Sequence, residues 1–180
     1  MKRPIYHCGG GLLVLLVPLV TMADTQTVTV MGELKTSTCE VRINGATADA
    51  IVALPPTTVA KLASVGNVDG KTGFTLNLTN CSSSGEVVPY FQNTQSTITP
   101  QGRLSNTASS NPANAVELQL LDSNSGVVNL SLDSSSQNAA TPTAPTAGAV
   151  NFSFYIQYYA TAAASAGAVS SALTYIINYL

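Results

Sequence analysis

Apolar and polar residues alternate along several short segments of the chain, and this period of two predicts half-buried β-strands. The first such segment covers residues 27–34. One of its faces consists of Val28, Val30, Gly32 and Leu34. A lone strand is not stable in water, so this segment needs a sheet against which to bury its apolar face.

The rest of the chain carries the same alternation in short pieces separated by turn residues. The predicted strands cover residues 37–43, 73–81, 87–91, 115–121, 127–132, 152–158 and 169–179. Residues 51–54 form a further short apolar piece, and residues 57–62 are either an edge strand or an irregular return. Segments 133–149 and 160–168 are rich in small and polar residues and are predicted loops. About seven short strands predict an all-β fold, a Greek-key β-sandwich of immunoglobulin-like type.

The first 23 residues have the features of a secretory signal peptide. Lys2 and Arg3 precede an apolar run of about ten residues, and small residues surround the end at Ala23. That run is too short to span a bilayer as a permanent helix. We therefore expect residues 1–23 to be removed on export.

Charge and length limit the classes of function open to the exported chain. Residues 24–180 contain five basic and nine acidic residues, for a net charge of −4. This charge gives no basic surface for nucleic acid, so no nucleic-acid partner is expected. A chain of this length suits one domain.

Cysteine usage agrees with export. Cys8 lies in the predicted signal peptide, which leaves Cys39 and Cys81. A compartment that oxidises thiols favours a disulfide between them; two buried free thiols are the alternative.

The exported chain contains few residues in a pattern suited to catalysis. The only histidine, His7, lies in the predicted signal peptide, so no imidazole remains for a catalytic triad or a metal site. The carboxylates are scattered, although a pair suited to glycoside hydrolysis stays geometrically open. Tyr155, Tyr158 and Tyr159 could stack on a sugar, but strand aromatics more often serve packing. We expect no enzyme, metal site or cofactor.

Several motifs in a fixed order resemble subunits of chaperone-usher fimbriae of the type 1 kind. They are the leader ending in Gly32-Glu33-Leu34, Cys39 five residues later, Phe74-x-Leu-x-Leu-x-Asn80-Cys81, Val116-x-Leu-Gln-Leu-Leu-Asp122, and Tyr175-x-Ile-x-Tyr179. The resemblance extends over the whole exported chain.

The resemblance implies an immunoglobulin-like sandwich that lacks its final strand. In that family the N-terminal extension of a neighbouring subunit fills the resulting groove by donor-strand complementation. Residues 24–36 would be the donor extension and residues 37–180 the pilin domain. Val28, Val30, Gly32 and Leu34 would be the donor residues, with Gly32 allowing close approach to a bulky groove residue. The groove would be lined or bordered by Val169, Leu173, Tyr175, Ile177 and Tyr179.

The resemblance also implies partners and location. A periplasmic chaperone would fill the groove first and hold the carboxylate of Leu180, and an outer-membrane usher would exchange it for the next subunit. The product is a fimbria on the bacterial surface, and a single domain with a donor extension favours its shaft subunit. A minor adaptor subunit and a monomeric secreted binding module are the alternatives.

Overall fold

Seven β-strands and one short 3-10 helix make up the regular structure of the described residues. The computed structural model describes residues 39–46, 48–82 and 85–180. Among these residues there is no helix with the length and hydropathy needed to span a bilayer. The predicted strand at residues 27–34 lies outside the described residues.

The strands form two antiparallel sheets. They are β1 (Glu40–Ile43), β2 (Val68–Thr79), β3 (Val87–Phe91), β4 (Leu104–Ser105), β5 (Val116–Leu121), β6 (Val150–Ala160) and β7 (Tyr175–Tyr179). The larger sheet, sheet one, has the order β1-β2-β6-β5-β4, and the smaller sheet, sheet two, pairs β3 with β7. The all-β expectation is confirmed.

The core lies between the two sheets and follows the predicted alternation. Sheet one contributes every second residue of its long strands, and sheet two contributes Val87 and Phe91. The ring of Phe91 packs edge-on against Phe154, with 4.9 Å between the ring centroids. Leu76, Leu78 and Leu120 have no solvent exposure. Burial of these side chains is the main contribution to the stability of the sandwich.

The outer face of sheet one carries a pair of amide side chains and two aromatic rings, each of which has a cation above it. The amide of Gln157 donates to the side-chain oxygen of Gln119 at 2.9 Å, and both residues are buried. Lys71 lies 4.2 Å from the ring centre of Tyr155, and Arg103 lies 4.0 Å from that of Tyr159. These two rings serve packing, because their faces are occupied by cations of the same chain.

Residues 51–54 form no strand, and residues 57–62, for which an edge strand and an irregular return were both open, contain a 3-10 helix at Val59–Leu62. The predicted strand at residues 127–132 is wrong: Val127 makes one isolated bridge to Leu121. The side chain of Asn129 accepts from the backbone and hydroxyl of Ser131, a local turn that competes with a ladder.

The long strands differ in length from their predictions. β2 begins at Val68, five residues earlier than predicted, because the start of β2 pairs with the end of β6. The two-residue strand β4 was not predicted, since two residues are too short to show a period.

A bulge in β2 depends on a glycine. The β2–β6 register shifts between Asp69 and Thr72, and Gly70 there has a φ of +67°. A Cβ atom at Gly70 would lie 2.8 Å from the ring of Tyr158. Any larger residue would therefore meet both backbone strain and a steric clash.

We expect Gly70→Ala to lower the free energy of unfolding by about 2 to 3 kcal/mol, from backbone strain and overpacking together. Gly66→Ala is the matched control, because Gly66 also has a positive φ but has nothing within 4 Å of the added Cβ. The control should lose about 1 kcal/mol. Urea unfolding measures both variants, and equal losses would contradict the clash with Tyr158.

A disulfide joins Cys39 to Cys81, 42 residues apart, at the end of the β1–β2 ladder. The prediction from cysteine usage is confirmed. Closing a loop of this length stabilises the fold by at most about 4 kcal/mol in the chain-entropy description.

Replacing both Cys39 and Cys81 with serine should therefore lower the free energy of unfolding by about 2 to 4 kcal/mol, measured by urea unfolding. The unsubstituted chain in reducing agent should show the same loss, and reducing agent should leave the variant unchanged. A reduced chain as stable as the oxidised one would contradict this expectation.

Candidate functional site at the edge of the last strand

Strand β7 has one strand neighbour in the described part of the chain. It pairs with β3 from Phe91↔Tyr175 to Val87↔Tyr179. The backbone of Gln92 donates to Thr174 at 3.0 Å, and the backbone of Leu180 donates to Glu86 at 2.9 Å. Even-numbered residues of β7 therefore face β3, and the backbone groups of the odd-numbered residues point to the opposite edge.

The other edge of sheet two is closed without a strand. The backbone groups of Val87 and Thr143 exchange two hydrogen bonds of 2.9 and 3.0 Å. The side-chain amide of Gln137 accepts from the backbone of Phe91 at 2.9 Å and donates to it at 2.8 Å. Between them lies Pro89, which has no N–H to satisfy. Among the described residues, the open edge of the small sheet is thus the one on β7.

An apolar stripe runs beside this open edge. Val169, Leu173, Tyr175 and Ile177 are partly buried and pack against the core. The fifth predicted residue, Tyr179, is 38% exposed and lies at the end of β7. The structure therefore brings together the residues that the sequence placed on the last strand.

The predicted strand at 169–179 is too long. Only Tyr175–Tyr179 is a strand, although side chains continue to alternate between half-buried and exposed back to residue 169. Side chains replace the missing ladder: Thr97 donates to the carbonyl of Ala172 at 3.1 Å, and Thr107 donates to that of Ser170 at 3.1 Å. We call residues 169–174 the tethered segment.

Asn106 anchors the start of the tethered segment. Its amide nitrogen donates to the carbonyls of Ala113 at 2.9 Å and Ala168 at 2.8 Å. Its amide oxygen accepts from the backbone of Ala108 at 3.1 Å and Ser170 at 2.9 Å. Nothing in the hydrophobic pattern pointed to this residue, since isolated polar residues in loops have no period.

Two tyrosines reach from β7 to the segments that flank β1. The hydroxyl of Tyr175 donates to the carbonyl of Ala48 at 3.0 Å. The hydroxyl of Tyr179 accepts from the backbone of Cys39 at 2.8 Å. These contacts join strand β7 to the segments on both sides of β1.

Burial raises the pKa of Tyr175 above its ordinary value of 10.0, and the nearby charge of Asp49 adds to the effect. In the described residues, no three His, Cys, Asp or Glu side chains come together as a metal site. The site therefore consists of an apolar stripe and a row of backbone groups, which suit a β-strand.

Two further groups of predicted residues are the donor residues and the C-terminal residue. The donor residues Val28, Val30, Gly32 and Leu34 lie outside the described residues. Leu180, predicted to present its carboxylate to a chaperone, is 68% exposed and its backbone N–H is bound to Glu86.

Residues 54–180 match the family described as "Type-1 fimbrial protein, A". The chain is 38% identical to the major fimbrial subunit SMF-1 of Stenotrophomonas maltophilia over 165 residues, which cover 90% of this chain and 96% of that protein. It is 33% identical to the F17 fimbrial protein of Escherichia coli, with 94% of this chain and 95% of that protein covered.

Solved structures agree on the fold. A subunit of a chaperone-usher pilus, from a structure on the molecular basis of rod uncoiling, matches 93% of this chain and all of its own, with a TM-score of 0.59 and 15% identity. The P pilus rod subunit PapA matches 78% of this chain and 99% of its own, with a TM-score of 0.55 and 12% identity.

Tyr175→Phe should lower the free energy of unfolding by about 1 kcal/mol at neutral pH, because the hydrogen bond to Ala48 is lost. The raised pKa of Tyr175 favours the protonated hydroxyl in the folded state. Its contribution is therefore complete below about pH 10 and is lost as the pH rises through the folded-state pKa.

Urea unfolding from pH 7 to 11 measures this dependence. The unsubstituted chain should lose more stability above pH 10 than Tyr175→Phe does. Parallel pH profiles for the two proteins would contradict a role for Tyr175 in the alkaline loss.

Proposed function

This chain belongs to the type-1 fimbrial protein family, and from that premise we propose that it builds the shaft of a fimbria by donor-strand exchange. It is a fimbrial subunit that is exported through the periplasm to the fimbria on the cell surface. Its family consists of structural subunits and not of enzymes, which confirms the expectation from the missing histidine chemistry.

The observation that carries the proposal is the open edge of β7 beside its apolar stripe. Backbone groups of Tyr175, Ile177 and Tyr179 point to this edge, away from β3. An added strand would satisfy them with a ladder and would cover Leu173 and Ile177. Strand addition of this kind takes its affinity from the backbone and its specificity from alternate side chains.

Residues 24–36 supply a strand of matching character. Val28, Val30 and Leu34 lie on one face of that segment in the predicted period of two. Burial of three such side chains contributes about 1.5 to 3 kcal/mol each, before the cost of ordering the segment. Donor from one subunit and groove from the next make a heterologous contact, which propagates into an open filament.

A periplasmic chaperone and an outer-membrane usher complete the proposal. An open edge with apolar residues beside it is prone to aggregation until a strand covers it. A chaperone that lends a strand and binds the carboxylate of Leu180 would protect this edge during transit. An usher would then exchange the chaperone for the next subunit.

A shaft role is favoured over a minor adaptor role by the similarity to a protein named as a major fimbrial subunit, of which 96% is covered. Residues 1–23 would be the signal peptide and residues 37–180 the pilin domain. Both boundaries follow from the sequence pattern, and sequencing the N-terminus of the exported protein tests the first of them.

The central test compares two proteins by thermal unfolding. One is the chain from residue 24 to 180, and the other carries a second copy of residues 24–36 after Leu180, joined by a flexible linker of about 15 residues. That linker is long enough to let the copy insert in either direction. We expect the appended copy to raise the melting temperature by roughly 10 °C or more, from burial of its apolar face.

Two substitutions in the appended copy form a matched pair. Val30→Asp should abolish the rise, because it places a charge on the face that enters the groove. Thr29→Asp places the same charge on the opposite face and should keep most of the rise. If the proteins with and without the copy have equal melting temperatures and both are stable monomers, the proposal fails. The chain would then be a monomeric secreted binding module.

A further inference from the structure

One buried polar atom in the apolar stripe has no hydrogen-bonding partner among the described residues. Among the described residues, the hydroxyl of Ser171 is the side-chain polar atom that is shielded from solvent and makes no hydrogen bond. In the alternation of the tethered segment, Ser171 lies between Val169 and Leu173 on the half-buried face. The apolar stripe is therefore interrupted by one hydroxyl.

The backbone on both sides of Ser171 is held in place, so its hydroxyl cannot easily shift to reach a partner within the domain. The carbonyl of Ser170 is bound by the backbone and the hydroxyl of Thr107, and the carbonyl of Ala172 is bound by Thr97. Both neighbours of Ser171 are thus fixed. A buried hydroxyl without a partner is unfavourable, so alanine would be the better residue here if the groove stayed as it is.

We propose that Ser171 is the hydrogen-bonding partner of Thr36 in the donor strand of a second copy of this chain, which enters antiparallel to β7. This inference rests on the proposed function and fixes the register of the inserted strand. A serine hydroxyl can donate once and accept twice, so a second hydroxyl satisfies it fully.

The register follows from the inward face of the leader. Read from residue 28 to residue 36, that face is Val28, Val30, Gly32, Leu34 and Thr36. Setting Thr36 opposite Ser171 in an antiparallel pair sets Leu34 opposite Leu173, Gly32 opposite Tyr175, Val30 opposite Ile177 and Val28 opposite Tyr179. Every apolar donor residue then faces the stripe, and the glycine faces the bulky ring of Tyr175.

A parallel register is the competing solution. It would set Gln26 opposite Ser171 and Gly32 opposite Ile177, leaving the valine at position 30 against Tyr175. The antiparallel solution is favoured because the five strand pairs of the described residues are all antiparallel and because antiparallel pairing is slightly more stable per residue.

The same register requires a second copy. Cys39 is held beside Tyr179 by its backbone hydrogen bond, and Thr36 precedes it by three residues, a reach of about 10 Å. Ser171 precedes Tyr179 by eight residues of extended chain, about 26 Å. The leader of the same chain therefore cannot place its own Thr36 opposite Ser171.

The test uses the protein with the appended copy of residues 24–36. Thr36→Val in that copy removes the hydroxyl and keeps the shape of the side chain. We expect the melting temperature to fall by about 2 to 4 °C, the shift for the loss of one hydrogen bond in a chain of this size. The same change should have no effect when Ser171 is replaced with alanine.

Two controls separate a binding role from a structural one. In the chain without the appended copy, Ser171→Ala should leave the melting temperature unchanged or raise it, because an unpartnered hydroxyl is removed. Gln26→Leu in the appended copy should behave the same with Ser171 and with alanine at that position.

If the effect of Gln26→Leu on the melting temperature depends on Ser171 and the effect of Thr36→Val does not, the proposal is overturned in favour of a parallel strand. A rise in melting temperature that depends on neither residue would overturn it and leave donor-strand exchange standing. If the appended copy gives no rise at all, both the proposed function and this inference fail.

Discussion

The requirement that backbone N–H and C=O groups be paired governs the small sheet of this fold. In an antiparallel strand, successive residues direct these groups to opposite edges, so a strand with one neighbour satisfies half of them. β3 solves the problem with Thr143, the amide of Gln137 and a proline that has no donor. On β7, no described residue pairs the backbone groups of the outer edge in this way, and that edge is the candidate site.

The tethered segment shows how an extended chain can be held without a ladder. Hydroxyl and amide side chains from residues 97, 106 and 107 occupy the backbone groups on one side only. Among the described residues, the backbone groups on the opposite side have no such partners over the same length. The open edge of β7 thus continues along the tethered segment, and the large sheet gains no sixth strand.

The periodicity of the sequence predicted the features that a single strand determines, namely which residues point inward and where the strand runs. The inward residues of β2, β5 and β6 and the full extent of β3 were recovered, as was the stripe from Val169 to Ile177. It could not predict which neighbour each strand finds, and so the end of the ladder at Tyr175 was missed. The anchoring by Asn106 and the hydroxyl of Ser171 depend on contacts between distant loops, which leave no periodic signal.

The position of the disulfide has a mechanical consequence if residues 24–36 join one subunit to the next as proposed. A pull on those residues would arrive at Cys39, immediately before the four-residue edge strand β1. The covalent bond to Cys81 would divert that pull to the end of β2, a strand of twelve residues that pairs on both sides. The β2–β6 ladder would then carry the tension in shear, and the short edge strand would not be peeled away.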